Sequence, residues 1–172
     1  MSRMPTRVAT ASQTVGPFFH FALTRDPMGR IAEQLSAGDP IRLVIRVTDG
    51  GGQPMTDGMV ELRQAGAFGR MPTDEDGSCE FAVARPGTVP DGRPPPHAPH
   101  IGLCFFARGL LRHLYTRIYL ADNPLLADDP VLRLVPERRR NTLLARPDPG
   151  EAGVWRFELR LQGELETVFF DL

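Results

Sequence analysis

Apolar and polar residues alternate with a period of two in several short stretches, the pattern of strands that bury one face. Ile41, Leu43, Ile45 and Val47 alternate with Arg42, Val44 and Arg46. Met59 to Gln64 sets Val60 and Leu62 on one face, and Cys79, Phe81 and Val83 predict a third strand. Ile101 to Ala107 is strongly apolar and predicts a central strand. His113, Tyr115, Arg117 and Tyr119 alternate with Leu114, Thr116, Ile118 and Leu120, which predicts a strand with one polar, aromatic face. Thr142 to Ala145 reads as a short strand, and Trp155, Phe157, Leu159 and Leu161 alternate with Arg156, Glu158 and Arg160. The chain closes on Thr167-Val-Phe-Phe-Asp-Leu172. Adjacent phenylalanines on a strand point to opposite faces, so this end is expected as a terminal strand with its core on one side and a partner on the other.

Between these stretches lie turn signals. Asp49-Gly-Gly-Gly52 and Thr73-Asp-Glu-Asp-Gly77 each carry the Asp and Gly that tight turns use. Short helical turns are expected between Arg25 and Gly38 and over Pro130 to Val135. Residues 85–99 hold Pro86, Pro90, Pro94, Pro95, Pro96 and Pro99, a loop that is stiff without secondary structure. Residues 1–25 form an arm whose Gln13 to Phe19 stretch, followed by Phe21, is too aromatic to stay in water. It docks either on its own domain or on a neighbouring subunit. Some eight short strands with turns between them make the fold all-β. The expected architecture is a β-sandwich of short, mostly antiparallel strands over residues 26–172, with a long N-terminal arm and few short helices.

Composition narrows the function classes. Lys and Arg number 20 and Asp and Glu 21 in 172 residues, so there is no basic footprint for nucleic acid and no polybasic membrane anchor. No apolar run approaches a membrane span, and the arm has no apolar stretch of the secretory kind, so a cytoplasmic location is expected. Gly and Pro number 17 each and are spread between the apolar runs, which reads as many turns rather than disorder. Cys79 and Cys104 each sit in an apolar run and read as buried thiols. His97 and His100 are three apart beside the proline loop, but with no Cys, Asp or Glu near them they fall short of a metal site. A histidine hydrogen-bonded to hold the loop is the favoured reading. The His113, Tyr115, Arg117, Tyr119 face could line a pocket, although interface or plain packing is the preferred reading. No phosphate-binding loop or nucleophile elbow is present, and Arg138-Arg139-Arg140 reads as a solvated turn.

Several of these stretches, taken in order, resemble a known family. They are Ser12-Gln-Thr-Val-Gly-Pro-Phe-Phe19, Val60-Glu-Leu-Arg-Gln64, Phe68-Gly-Arg70, Arg85-Pro-Gly87, His97-Ala-Pro-His-Ile101, Phe106-Ala-Arg-Gly109, Thr116-Arg-Ile-Tyr119 and Gln162 to Leu172. The chain is similar to the intradiol ring-cleavage dioxygenases, and within them to the alpha subunits of the protocatechuate 3,4-dioxygenases. The resemblance implies a β-sandwich paired with a beta subunit in an alpha–beta hetero-oligomer. It further implies Fe(III) held by two Tyr and two His of that beta subunit, and O2-dependent cleavage of protocatechuate to 3-carboxy-cis,cis-muconate.

Carried onto this chain, the beta-type motif Pro-Ala-His-Ile-His corresponds to Ala98-Pro-His-Ile-Gly102. One ligand His thus has a counterpart in His100, and Gly102 stands at the second. Val89 stands near one tyrosine position, and the loop that would carry the other tyrosine is deleted after Gln64. Arg63 replaces the family's usual Trp. The resemblance therefore implies a chain without iron and with a vestigial His100. It also implies that Thr14, Gly16 and Pro17 of the arm line the partner's substrate cavity and that Arg117 stands at its mouth to favour a carboxylate. The alternative is a stand-alone β-sandwich binding module.

Overall fold

The structure is a computed structural model that describes residues 9–16, 19–25, 28–35, 39–87 and 97–171. Eight strands build it: β1 (Pro40–Thr48), β2 (Met59–Gln64), β3 (Ala67–Pro72), β4 (Ser78–Ala84), β5 (His100–Phe106), β6 (Leu114–Leu120), β7 (Leu144–Pro147) and β8 (Val154–Arg160). Their order across the sheet is β3-β2-β5-β6-β7-β8-β1-β4. Five of the seven pairings are antiparallel; β1 with β8 and β6 with β7 are parallel. The all-β sandwich of mostly antiparallel strands is therefore as expected.

Two devices fold this sheet over on itself. The first is β7, only four residues long, which changes partner along its length. Leu144 and Ala145 pair with Tyr119 and Leu120 of β6, and Arg146 and Pro147 pair with Arg156 and Trp155 of β8. A strand that switches sheets makes the corner of a sandwich. The second is residues 28–30, which bridge the two free edges. Met28 exchanges both backbone hydrogen bonds with Arg70 of β3, and the Ala82 N–H of β4 donates to Gly29 O at 2.8 Å. Gly69 permits that approach, because a Cβ there would lie 2.4 Å from Met28 O. Its missing side chain breaks the alternation of β3, which is why this strand carries no strand signal in the sequence.

The core lies between the halves. Leu43, Ile45, Val60, Leu62, Phe81, Ile101, Leu103, Phe105 and Phe157 are essentially without exposure. At about 1.5–3 kcal/mol for each large apolar side chain removed from water, this layer dominates the favourable side of folding. A second cluster covers the outer side of β6 near Tyr119. It draws on the short helix α2 (Pro130–Leu134) and neighbouring single turns; two further short helices are α1 (Phe19–Leu23) in the arm and α3 (Glu137–Arg140). Pro130 opens α2 at the position where its missing N–H costs nothing, and Asp129 caps it through bonds from Val131 N and Leu132 N. The Asp-led turns form as predicted: Asp49 Oδ1 accepts from Gly51 and Gln53, and Asp74 Oδ1 accepts from Asp76 and Ser78.

Four expectations need correction. The C-terminal segment joins no ladder. It is strapped by single bonds, Thr167 N to Arg160 O, Phe170 N to Tyr115 O and Thr116 Oγ1 to Val168 O. Phe169 then packs on the main core and Phe170 on the second cluster, so both rings find cover within this chain. The strand expected over 142–145 begins two residues later, because residues 141–143 make a single 3-10 turn. Cys79 is buried, but Cys104 is half-buried on the outer face of β5. The Arg138–Arg140 run lies in α3 rather than a free turn, and Arg139 reaches back to Glu166 O.

Candidate functional site

The outer face of β2, β5 and β6 carries the residues of interest, and register sets their order. Arg63, Gly102 and Arg117 lie in one row across the three strands; Glu61, Cys104 and Tyr115 lie in the next; His100 pairs with Tyr119. Above this face opens a cavity of about 560 Å³. Its walls include Arg63, Phe68, His97, His100, Gly102 and Tyr115. Of the polar, aromatic face of β6 only Tyr115 lines this cavity, while Tyr119 is packed in the second cluster.

One buried acid positions the histidine loop. Asp129 is fully buried and its carboxylate accepts from Ala98 N, Val131 N and Leu132 N, and from the Tyr119 hydroxyl at 3.3 Å. A carboxylate with that many donors is fixed, and so is the Ala98-Pro99-His100 corner it holds. His100 Nδ1 bonds Ala98 O at 2.9 Å, the loop-holding role expected for it. Burial, only partly opposed by that bond, lowers the His100 pKa, with Arg117 adding to the effect. His100 is accordingly a neutral ring. His97 Nδ1 stands 3.8 Å from Asp129 Oδ2, too far for a hydrogen bond.

Arg117 is the charge of the site. It is half-buried on β6 and lies close to Tyr115 and Tyr119. Burial pulls against the guanidinium, but the two tyrosines prevail and its pKa is raised. Burial pushes the Tyr119 hydroxyl up to about 12. Tyr115 is held from behind by the C-terminal segment, whose Phe170 ring lies 6.3 Å from its own.

An iron centre does not fit these residues. His100 keeps Nε2 free as a single possible ligand, but Gly102 offers no donor and the Tyr119 hydroxyl is committed to Asp129. A guanidinium close to the two tyrosines repels any cation placed against them. β2 and β3 are joined by a two-residue turn, Ala65 and Gly66, both at positive φ. That is the geometry of a type I′ hairpin, too short to project a ligand. Val89, the remaining comparison point, lies outside the described residues, as does Pro17 of the arm.

The other arm residues lie elsewhere on this chain. The Gly109 N–H donates to Thr14 Oγ1 at 2.8 Å, which ties this part of the arm to the turn between β5 and β6. Gly16 is exposed, with nothing within 4 Å of the place a Cβ would take. His113 also belongs to this end, stacked on Phe106 with ring centroids 5.4 Å apart. Thr14 and Gly16 are thus not brought together with Arg117 within this chain. Gln64 and Phe68 line the cavity without having been singled out as site residues. Only the position of Gln64 at a strand end beside a tight turn could have indicated it.

Solved structures of similar shape share this architecture. The dioxygenase domain of a dioxygenase–carbohydrate-binding fusion from Streptomyces sp. SirexAA-E superposes with a TM-score of 0.62 at 21% identity, covering 92% of this chain and 99% of that one. Hydroxyquinol 1,2-dioxygenase from Pseudomonas putida DLL-E4 superposes with a TM-score of 0.60 at 21% identity, covering 90% of this chain and 67% of that one. The fold is that of the intradiol ring-cleavage dioxygenases. No protein-family model matches the chain.

Sequence relatives narrow the class. The chain is 39% identical over 197 aligned positions to the protocatechuate 3,4-dioxygenase alpha chain of Burkholderia cepacia, across 98% of this chain and 100% of that one. It is 35% identical to the alpha chain of Pseudomonas putida, across 94% and 96%. The beta chain of Burkholderia cepacia is 30% identical over 76% of this chain and 69% of its own length. This chain belongs to the family of protocatechuate 3,4-dioxygenase alpha chains.

Proposed function

We propose that this chain is the iron-free alpha subunit of a protocatechuate 3,4-dioxygenase. It pairs with a beta subunit in a cytoplasmic alpha–beta hetero-oligomer that cleaves protocatechuate with O2 to 3-carboxy-cis,cis-muconate. The observation that carries this reading is the 39% identity to a protocatechuate 3,4-dioxygenase alpha chain across 98% of this chain. The resemblance supports it further: by it His100 is the one counterpart of a ligand, Gly102 stands at the second imidazole, and the two-residue Ala65–Gly66 turn stands where a ligand loop would be. The enzyme's non-haem Fe(III), which activates the catechol toward O2, then belongs to the beta subunit.

On this reading the chain contributes wall, charge and assembly. The sandwich over residues 26–172 supports the pairing, and the arm over residues 1–25 reaches the partner's cavity. Thr14, Gly16 and Pro17 wall that cavity: glycine permits close backbone approach, and proline presents an apolar surface without an N–H. The lack of any neighbour around Gly16 supports a role as surface for another molecule. Arg117 supplies a fixed positive charge that favours the substrate carboxylate.

The test is co-expression with a beta-type chain that carries the full Tyr and His set, followed by size-exclusion chromatography and iron analysis. A complex with one iron per alpha–beta pair that consumes O2 with protocatechuate is expected. Stoichiometric iron on this chain alone, or failure to co-elute, would overturn the reading. Within the complex, Arg117→Ala should raise KM for protocatechuate more than for catechol, which lacks the carboxylate. Equal changes for both would remove Arg117 from substrate recognition.

A further inference from the structure

The turn that joins β5 to β6 is anchored at both ends. Ala107 is buried, Leu110 packs on the main core, and the Leu110 N–H donates to Ala107 O at 3.3 Å to close the turn. Gly109, its third residue, has φ at 86°. Nothing lies within 4 Å of the place its Cβ would take, so glycine serves there for its backbone conformation and not for space. Positive φ at the third residue is the type II arrangement, which glycine or asparagine accepts and other residues resist. Arg108 beside it is ion-paired with Asp57 in the connection between β1 and β2. An exposed pair adds little stability, but this one braces the tip of the turn against a second connection.

The arm hangs on this tip. The Gly109 N–H donates to Thr14 Oγ1 at 2.8 Å, across 95 positions of sequence. Val15, half-buried, then faces Phe106, Leu110 and Leu111 across a cleft of about 300 Å³. Packing is loose at that cleft, so a directional bond and not interlocking side chains sets where the arm lies. Beyond Val15, Gly16 stands exposed with open space around it. At the other end of the arm Arg70 Nη1 reaches Leu23 O only at 3.5 Å, so of these two ties the one at Thr14 is the firmer.

We propose that Gly109 is a positioning residue for the partner's active site: its N–H fixes Thr14, and through Thr14 the placement of Gly16 against the partner's cavity. The inference rests on the subunit reading for that cavity, and on this chain's own geometry for the bond. Gly109 acts through another residue and not on the reacting atoms. An arm free to swing must be ordered each time substrate binds, and that ordering penalises binding rather than the chemical step. Loss of the bond therefore raises KM and leaves kcat nearly unchanged.

Gly109 allows the bond to be broken by backbone conformation alone. Alanine is strained at this φ and asparagine is not, and either side chain would stand in open space. In the alpha–beta complex, Gly109→Ala should raise KM for protocatechuate about threefold to tenfold, the range of one net hydrogen bond, with kcat within about twofold. Gly109→Asn should restore the parent KM. Thr14→Val removes the acceptor at constant shape, and Thr14→Ser keeps it. Amide exchange at Gly109 in the full chain should quicken roughly fivefold or more in Thr14→Val and stay at the parent rate in Thr14→Ser. Gly109→Ala combined with Thr14→Val should raise KM no further than Thr14→Val alone, because both break one bond.

Equal KM values for Gly109→Ala and Gly109→Asn, additive effects in the double variant, or exchange at Gly109 that ignores Thr14→Val each overturn the proposal. If Gly109→Ala fails to fold or to co-elute with the beta-type chain, the Thr14 pair decides. A KM raised by Thr14→Val and restored by Thr14→Ser, with the matching change in exchange, upholds the role; the same KM in both overturns it. A parent chain that forms no active complex removes the subunit reading, and the active-site role with it, even where Thr14 protects the Gly109 amide. An active complex in which all these variants behave as the parent removes the positioning role alone.

Discussion

On the inner face of β5, Ile101, Leu103 and Phe105 are fully buried among side chains from both halves of the sheet, whereas on its outer face His100, Gly102 and Cys104 are half-buried. The same contrast runs along β6, where Thr116, Ile118 and Leu120 face in while Tyr115 and Arg117 face the cavity side. The inner face has the density and apolar character of a packed core, where every methylene matters. The outer face keeps polar atoms without partners and tolerates empty space. What the comparison teaches is a division of labour within single strands: one set of alternate residues specifies the fold and the other is free to change chemistry. Substitutions on the outer face therefore leave the sandwich intact.

The largest effect that sharpens this contrast is a cavity in the inner face. Phe105→Ala should cost about 3–5 kcal/mol, since the ring is completely buried and its neighbours collapse only in part. Gly58 already presses on that ring, at 2.5 Å from the place its Cβ would take, so the site is tightly packed. Gly102→Leu on the outer face of the same strand should change stability by less than about 1 kcal/mol. Urea unfolding of both variants checks the pair. Comparable losses would mean that the outer face is as much part of the core as the inner.

Second in size is the acid that joins the two faces. Asp129→Ala strands three buried N–H groups and the Tyr119 hydroxyl, each left without its acceptor. At roughly 1–3 kcal/mol for an unsatisfied buried group, and with some rescued by water, the loss should be about 3 kcal/mol. It should also release the Ala98-Pro99-His100 corner, visible as faster amide exchange at Ala98. Stability within about 0.5 kcal/mol of the parent would show that Asp129 is a bystander.

Much of this division is legible in the order of residues alone, and the exceptions have physical reasons. Alternation in β1, β2, β4, β6 and β8 survives because one face of each strand is mostly apolar. β3 escapes notice because the seam with Met28 demands a glycine in its middle, which erases the period. The C-terminal segment looks like a strand because Phe169 and Phe170 need cover on both sides; two separate apolar clusters supply that cover without a ladder. His100 and Arg117 are legible as members of patterned strands, but Gln64 and Asp129 are not. Their importance comes from burial and from partners 20 to 31 residues away, Ala84 and Ala98, and such long-range pairing has no local signature.

A smaller effect, and one of opposite sign, is expected at the turn between β2 and β3. Ala65 holds φ at 47°, a left-handed conformation that costs an L-residue other than Gly or Asn about 1–2 kcal/mol. Ala65→Asn places an Asn-Gly pair in a type I′ turn, the pairing this geometry prefers. Because Ala65 is exposed, the substitution should stabilise the chain by about 0.5–1 kcal/mol. Thermal unfolding with no gain in Tm would mean that the turn relaxes in solution.

The smallest effect distinguishes the two faces by pH. His100 is the titrating group of the outer face whose pKa is lowered, chiefly by burial, while among the described residues the inner face has no histidine. A histidine with a lowered folded-state pKa binds fewer protons folded than unfolded, so its contribution is complete above the ordinary value of about 6.5 and is lost as pH falls toward the folded value. Arg117 acts in the same direction, because its charge disfavours a second cation beside it. Stability should therefore decline as pH drops from 7 to 5, and His100→Gln should flatten that decline while leaving stability at pH 8 less changed. If the substitution leaves the slope between pH 5 and 7 untouched, proton uptake belongs to another group and the neutral state assigned to His100 is wrong. If the slope flattens, the outer face is shown to hold its imidazole uncharged, as burial dictates and the Arg117 charge reinforces.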